Sequence, residues 1–363
     1  MKIAYVINSV EGGGAALPVP AVTQVMRDRG HHVEIFALSR RDGRAIAPME
    51  QAGLRVHVRE GGKHDHLTAL RWLDGATRAF APDVIWTSLT RATLMGQIIG
   101  LRRHCPVISW QHSARLKPMN ARLMRLMRHR TSLWIADSCC VEEQTRETLG
   151  IPPEQLTRWP IFRASPDFPM AKPWEVEQPI RIGTLGRLHP VKGYDILCAA
   201  LALLCQSPGF PPFELLIAGA GEEQARLETL IARDNLPVRL VGYVSDTRTF
   251  LTSLNAYVQP SLWEGLCLAA HEAMLAGLPV IASEAGELPF TITPDTGWIV
   301  PPRDPQALAA ALADLLAAPE RLVFMGRQAR RRVLDRFGAA QFDETGGAIV
   351  ARVEQIVERH RRS

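Results

Sequence analysis

Short apolar runs alternate with amphipathic stretches along most of this chain. Lys2–Ile7, His32–Leu38, Leu54–Val58, Val84–Thr87, Val107–Trp110 and Leu133–Ala136 are rich in Val, Ile and aromatic residues and end in polar or turn residues. Such runs predict strands buried on both faces. Between them, helical spacing predicts a helix ending near Arg29-Gly30, then helices near Leu67–Phe80, Thr93–Arg103 and Val141–Leu149. Asp137-Ser138 can cap the last of these and Gly150 can stop it. The alternation resumes with strands at Arg181–Leu185, Phe213–Ala218, Val238–Val241, Ala256–Val258 and Val280–Ala282. Helices are predicted from Asp195, over Ala307–Leu316 and over Gln328–Phe337, with a last apolar-periodic stretch at Phe342–Val357. Strands alternating with helices predict doubly wound α/β domains. Ser165–Gln178 contains Pro166, Pro169 and Pro173 and has no apolar period, so it reads as a linker between two such domains.

Composition changes this picture little. At 363 residues, 47% hydrophobic and 22% charged, the chain can hold two cores and is not extensively disordered. None of the six cysteines forms a C-x-x-C pair and no His cluster accompanies them, which speaks against a zinc site or a disulfide framework and for a reducing compartment. The chain opens directly into a strand and shows no apolar run of spanning length, so neither a signal peptide nor a membrane helix is expected. Charge is more informative. The net +5 is uneven, with 23 basic against 15 acidic residues up to position 170 and the balance reversed afterwards. A basic first half suits a nucleic acid, an anionic lipid or a phosphorylated partner.

The densest chemistry lies in Ser261–Ser283, SLWEGLCLAAHEAMLAGLPVIAS. Glu264 precedes a helix in which Leu268, His271, Glu272 and Leu275 share helical spacing, with Gly277 as its stop. The backbone N–H groups of Gly265, Leu266, Cys267 and Leu268 then lie at a helix N-terminus, a natural seat for phosphate. Ionised carboxylates accept hydrogen bonds from vicinal hydroxyls. Glu264 and Glu272 around such a seat suit a ligand with a phosphate in its middle and a sugar at each end. Elsewhere, Gly12-Gly13-Gly14 follow the first strand and permit close backbone approach, but without G-x-G-x-x-G spacing. Arg187 and Lys192 flank the loop after Arg181–Leu185, and both are residue types that bind phosphate oxygens. His112 follows a strand end, where open α/β sheets bind ligands.

The order S-x-x-E-G-x6-E-A-M-x-A-G-x-P-V-I-A-S, with Gly186-Arg187-Leu188-x3-Lys192-Gly193 upstream, resembles the donor-site signature of the retaining glycosyltransferases of family 4. The resemblance implies a GT-B fold, two Rossmann-like doubly wound α/β domains facing across a cleft. It places an acceptor-side domain at 1–165, a linker at 166–179, a nucleotide-sugar donor domain at 180–340 and a terminal helix at 341–363 that packs back on the first domain. It implies a UDP- or GDP-sugar as co-substrate, no further cofactor, and no metal, in keeping with the lack of a D-x-D motif at a strand end. It assigns the donor diphosphate to Arg187 and Lys192, sugar hydroxyls to Glu264 and the ribose to Glu272. The nucleotide base falls beside Tyr243 and Val244, the phosphates near Gly12, Gly13 and Gly14, and His112 near the donor sugar. His112, Glu264, Arg187 and Lys192 are thus the candidate catalytic residues. No side chain stands out as a nucleophile, and retention follows from the resemblance alone. The family's Asn-Gly turn at the end of the first domain is replaced by Trp159-Pro160-Ile161-Phe162-Arg163.

Other readings stay open on the residues. A nucleotide-sugar epimerase shares the fold and needs no acceptor. A basic lipid- or nucleic-acid-binding module would use the first half without transferring sugar, although its basic stretch lacks the interleaved aromatics of a single-strand binder. Dinucleotide-dependent dehydrogenation does not fit the first glycine loop. Arg115–Thr131 is the most basic stretch, and from Asn120 it predicts an amphipathic helix with Arg122, Arg125 and Arg128 among Leu and Met. Such a helix can lie on an anionic membrane surface. The expectation is a cytoplasmic enzyme peripheral on the inner face of the membrane, with a lipid-linked acceptor of a surface polysaccharide or glycolipid pathway and no nucleic-acid partner.

Overall fold

The computed structural model of the chain describes residues 1–62, 64–113, 115–206 and 209–362. The chain divides into two compact units, Met1–Arg163 with Ala340–Ser363, and Ala164–Ala339.

The first unit runs β1 (Lys2–Ile7), α1 (Val19–Asp28), β2 (His32–Ala37), α2 (Ile46–Gln51), β3 (Arg55–Val58), α3 (His66–Phe80), β4 (Val84–Ser88), α4 (Thr90–Arg103), β5 (Val107–Gln111), α5 (Pro118–Met127), β6 (Leu133–Ala136), α6 (Cys139–Leu149) and β7 (Leu156–Arg158). Its strands form a parallel sheet in the order β3-β2-β1-β4-β5-β6-β7. The order reverses between β1 and β4, and ligands of open α/β sheets bind at such switch points. β1, β4, β5 and β6 are buried nearly throughout, as their unbroken apolar runs require. α1 starts at Val19, past the glycines, with Pro18 at its N-cap.

The second unit runs β8 (Ile180–Leu185), α7 (Tyr194–Leu204), β9 (Phe213–Ala218), α8 (Gln224–Arg233), β10 (Val238–Gly242), α9 (Thr247–Thr252), β11 (Ala256–Gln259), α10 (Leu268–Leu275), β12 (Val280–Ser283), α11 (Leu288–Thr291), β13 (Gly297–Val300), α12 (Pro305–Ala317) and α13 (Leu322–Phe337). Its parallel sheet is ordered β10-β9-β8-β11-β12-β13, with the switch point between β8 and β11. The proline-rich stretch expected to link two domains is fastened to this unit. Ala171 N–H donates to Ala276, Arg330 holds the carbonyls of Pro166 and Phe168, and Trp174 packs on the core.

α14 (Ala339–Arg362) carries the end of the chain back into the first unit. Phe342 meets Trp159 with ring centroids 5.1 Å apart, and Arg163 grips Asp343 through two nitrogens. Gly346 lies against the Trp159 ring, where a Cβ would come within 2.3 Å of a ring carbon. The Trp159 segment that replaces the family's Asn-Gly turn is thus a docking point for α14.

Several elements differ from their expected bounds. α4 begins three residues earlier than its apolar period suggests, and β5 extends to Gln111, so His112 is the first residue past the strand. α2, α8 and β7 were not legible as separate elements. β7 is three residues long, and only Leu227 of α8 is buried, so neither carries a strong pattern.

Candidate functional site

In the second unit the candidate residues gather at the carboxyl ends of β8, β10 and β11. The loop after β8 is fixed by its neighbours' backbones. Gly186 and Leu188 N–H groups donate to Ala218 and Ala220, and Glu223 N–H donates to Leu188. Gly219 and Gly221 allow this approach, since a Cβ at either would fall within 2.3 Å of a carbonyl oxygen. Gly193, at φ +65°, lies against the Pro260 carbonyl in the same way, and Leu262 N–H donates to Val191. The loops after β8 and β11 are therefore one rigid assembly.

Lys192 Nζ donates to Glu264 Oε1 at 2.7 Å. Ser261 Oγ donates to the same oxygen at 2.6 Å and Gln259 Nε2 at 3.3 Å. Burial alone would lower the Lys192 pKa, but the Glu264 charge outweighs it and the ammonium is held above its ordinary range. Gln259 escaped the sequence reading, and Ser261 entered it only as the first residue of the signature. The available signal was a glutamine ending an otherwise apolar strand, fully buried in the structure.

α10 begins at Leu268, and Cys267 caps it in the left-handed region at φ +63°, a strained position for a residue with a side chain. Burial pushes the Cys267 thiol up, so it stays protonated. Among the described residues, the N–H groups of Leu266, Cys267, Leu268 and Ala269 make no hydrogen bond. They are open donors at the positive end of a helix. Gly265 uses its carbonyl to take the Glu287 N–H, and Glu287 is itself paired with Arg336.

Glu272 sits half-buried on the second turn of α10, and its carboxylate has no hydrogen-bond partner among the described residues. Burial raises its pKa to about 7, with Arg248 pulling weakly the other way. Arg187 is exposed and its guanidinium likewise has no partner among the described residues. Tyr243 is exposed and Val244 half-buried, directly after β10. The second unit therefore presents an open cation, open amides and an open carboxylate around a paired Lys–Glu centre.

The first unit holds the remaining candidates. Gly12 N–H donates to Asp42 Oδ1 at 2.9 Å and Gly13 N–H to the Glu11 carbonyl at 2.8 Å, so neither amide is open to a phosphate. A Cβ at Gly12 would meet the Arg44 side chain at 3.1 Å. Gly14 is exposed. His112 is nearly buried between Ser88 Oγ, 2.8 Å from Nε2, and Asp137 Oδ2, 3.1 Å from Nδ1.

Among the described residues no group of His, Cys, Asp and Glu could hold a metal ion, and no helix is long and apolar enough to cross a membrane.

Two parallel-sheet units with polar loops at their switch points define the class, the GT-B architecture. HepE of Anabaena, solved with UDP-glucose, superposes with a TM-score of 0.84 over 97% of this chain and 99% of its own, at 21% identity. Family models described as "Glycosyl transferases group 1" and "Glycosyl transferase 4-like domain" match residues 169–332 and 13–161. The chain belongs to the GT-B glycosyltransferases of the family 4 type. Among curated relatives, the amylovoran biosynthesis glycosyltransferase AmsK of Erwinia amylovora is 32% identical over 65% of this chain. A GDP-mannose-dependent phosphatidylinositol dimannoside mannosyltransferase of Mycobacterium tuberculosis is 34% identical over 44%. The alignments span 57% and 41% of those two relatives' own lengths.

Proposed function

We propose that this protein transfers a sugar, a hexose, from a nucleotide-diphosphate sugar to an acceptor, with retention at the anomeric carbon. One observation carries the reading. The β8 and β11 loops hold a buried ammonium, and the same unit leaves the Arg187 guanidinium, the amides of Leu266–Ala269 and the Glu272 carboxylate without hydrogen-bond partners among the described residues. A diphosphate leaving group needs positive, preorganised donors, and Arg187, Lys192 and the open amides supply them without a metal ion. Metal independence is part of the proposal. Glu264, already gripped by three donors on one oxygen, is positioned to accept sugar hydroxyls with its other oxygen. Glu272 takes the ribose, and Tyr243 and Val244 flank the base. The relatives that act in polysaccharide and glycolipid synthesis, and the solved structure with UDP-glucose, support UDP- or GDP-sugars as donors.

The acceptor proposal rests on α5. Only Met124 of its side chains is buried, while Met119, Leu123 and Leu126 are exposed at 62%, 42% and 71%. Arg122, Arg125 and Arg128 are exposed among them. Apolar side chains beside arginines suit the interface of an anionic membrane. A lipid-linked acceptor presented at the inner face of the membrane follows as the substrate class.

A thermal-shift screen of nucleoside diphosphates tests the donor half. A bound ligand at 100 times its dissociation constant stabilises by about 2.7 kcal/mol. No shift with any nucleoside diphosphate would overturn the reading, and activity that vanishes in chelator and returns with magnesium or manganese would overturn its metal-free form.

A further inference from the structure

The first unit contains a buried polar chain that the donor site does not explain. Ser88 ends β4, His112 follows β5 and Asp137 follows β6, so three adjacent strands deliver them side by side. Ser88 is fully buried, and the His112 and Asp137 side chains are 7% and 4% exposed. The indole of Trp110 lies along the imidazole with ring centroids 5.5 Å apart, and Trp159 stacks behind Trp110 at 4.8 Å. His112 is thus held at both nitrogens and on one face.

Among the described residues the Asp137 Oδ1 is buried and makes no hydrogen bond, and its Oδ2 meets only His112. Helix α6 is capped by Ser138, whose Oγ accepts from Val141 N–H, so the cap does not need Asp137. A buried, half-satisfied carboxylate is costly, and its retention calls for a reason. Backbone strain marks the same place. Leu89, which follows Ser88, sits at φ +76° and ψ 158°, a region open without strain only to glycine.

We infer that Asp137 is a positioning residue that fixes the tautomer of His112. A carboxylate can only accept, so Nδ1 must carry a proton. In the neutral ring Nε2 is then a hydrogen-bond acceptor, and Ser88 Oγ donates to it. His112 meets a sugar hydroxyl as an acceptor through Nε2, and Ser88 holds that place until the ligand arrives. This rests on the reading that His112 contacts sugar.

The test is a kinetic cycle of His112→Ala, Asp137→Asn, Asp137→Ala and the double variant His112→Ala/Asp137→Asn, with nitrogen NMR of the histidine ring. The expected result is that Asp137→Ala lowers kcat at least tenfold and leaves KM for the donor within about threefold. Asp137→Asn, which can still accept through its carbonyl oxygen, retains more turnover than Asp137→Ala. Added to His112→Ala, the asparagine change should cost nothing further. In the wild type the ring should show a protonated Nδ1 and, when neutral, a bare Nε2, a signature that mere packing would not set. Loss of turnover in His112→Ala with wild-type turnover in both Asp137 variants would overturn the positioning role. Multiplicative losses in the double variant, or a bare Nδ1, would overturn it too. Wild-type turnover in His112→Ala would instead sink the reading of His112 beneath it.

Discussion

Lys192 and Glu264 meet at 2.7 Å across the loops after β8 and β11, with side chains only 19% and 11% exposed. The pair joins the two strands that flank the switch point. Removing one partner leaves a nearly buried charge alone, which typically costs about 3–5 kcal/mol. Glu264→Ala and Lys192→Ala should each lower the urea midpoint, and the double variant should lose less than the sum. Strict additivity would mean that the two charges do not support one another.

Glu272 gives a pH dependence with a defined sign. Burial raises its pKa from the ordinary carboxylate value to about 7 in the folded protein. Between about pH 4.5 and 7 the folded state therefore binds more protons than the unfolded one, so stability falls as pH rises through this window. Glu272→Gln should remove that component, on the order of 1–3 kcal/mol after solvent screening of a half-buried group. Melting curves of both proteins from pH 5 to 8 should converge at low pH and separate above it, with the variant the more stable. Parallel profiles would contradict the assignment.

Gly346 tests the docking of α14. A methyl group there would overlap the Trp159 ring, which is fully buried. Gly346→Ala should destabilise by about 1–3 kcal/mol through overpacking, despite the gain in helix propensity. Differential calorimetry should show the lower Tm. An unchanged or raised Tm would mean that Trp159 is free to move aside.

The membrane proposal has a direct check in sedimentation with vesicles. Each arginine near an anionic surface contributes about 1 kcal/mol, so changing Arg122, Arg125 and Arg128 to Gln should abolish most binding to vesicles rich in anionic lipid. Leu123→Ser with Leu126→Ser should weaken binding to the same vesicles without changing its salt dependence. No binding at low salt, or equal binding to neutral vesicles, would favour an acceptor that is not in a membrane.

The α/β class and both parallel sheets were legible because their inner strands are buried on both faces and read as unbroken apolar runs, as β4 and β12 do, while the outer strands β3 and β10 are only partly buried. The order of residues from Ser261 to Ser283 gave the helix α10 with Glu272 on it and Glu264 in the loop before it. What stayed hidden was pairing across sequence. Nothing local says that Lys192 meets Glu264, or that Asp137 meets His112, because strand order alone brings them together. The partners of the glycine amides were hidden in the same way. Gly12 and Gly13 offer amides in sequence, but Asp42 and Glu11 had already claimed them. Trp159 marked a departure whose meaning became readable only with Phe342 and Gly346 against it.

The central claim is that the second unit's open cation and amides seat a diphosphate. Calorimetric titration of UDP and GDP, with the matching nucleosides as controls, into the wild type and Arg187→Ala tests it most directly. One of the two diphosphates should bind the wild type and its nucleoside far more weakly. Arg187→Ala should lose about 1.5–3 kcal/mol of that affinity, roughly ten- to hundredfold, through the missing charge-assisted hydrogen bonds. Equal affinity in the variant, or no binding of either diphosphate to the wild type, would contradict the account.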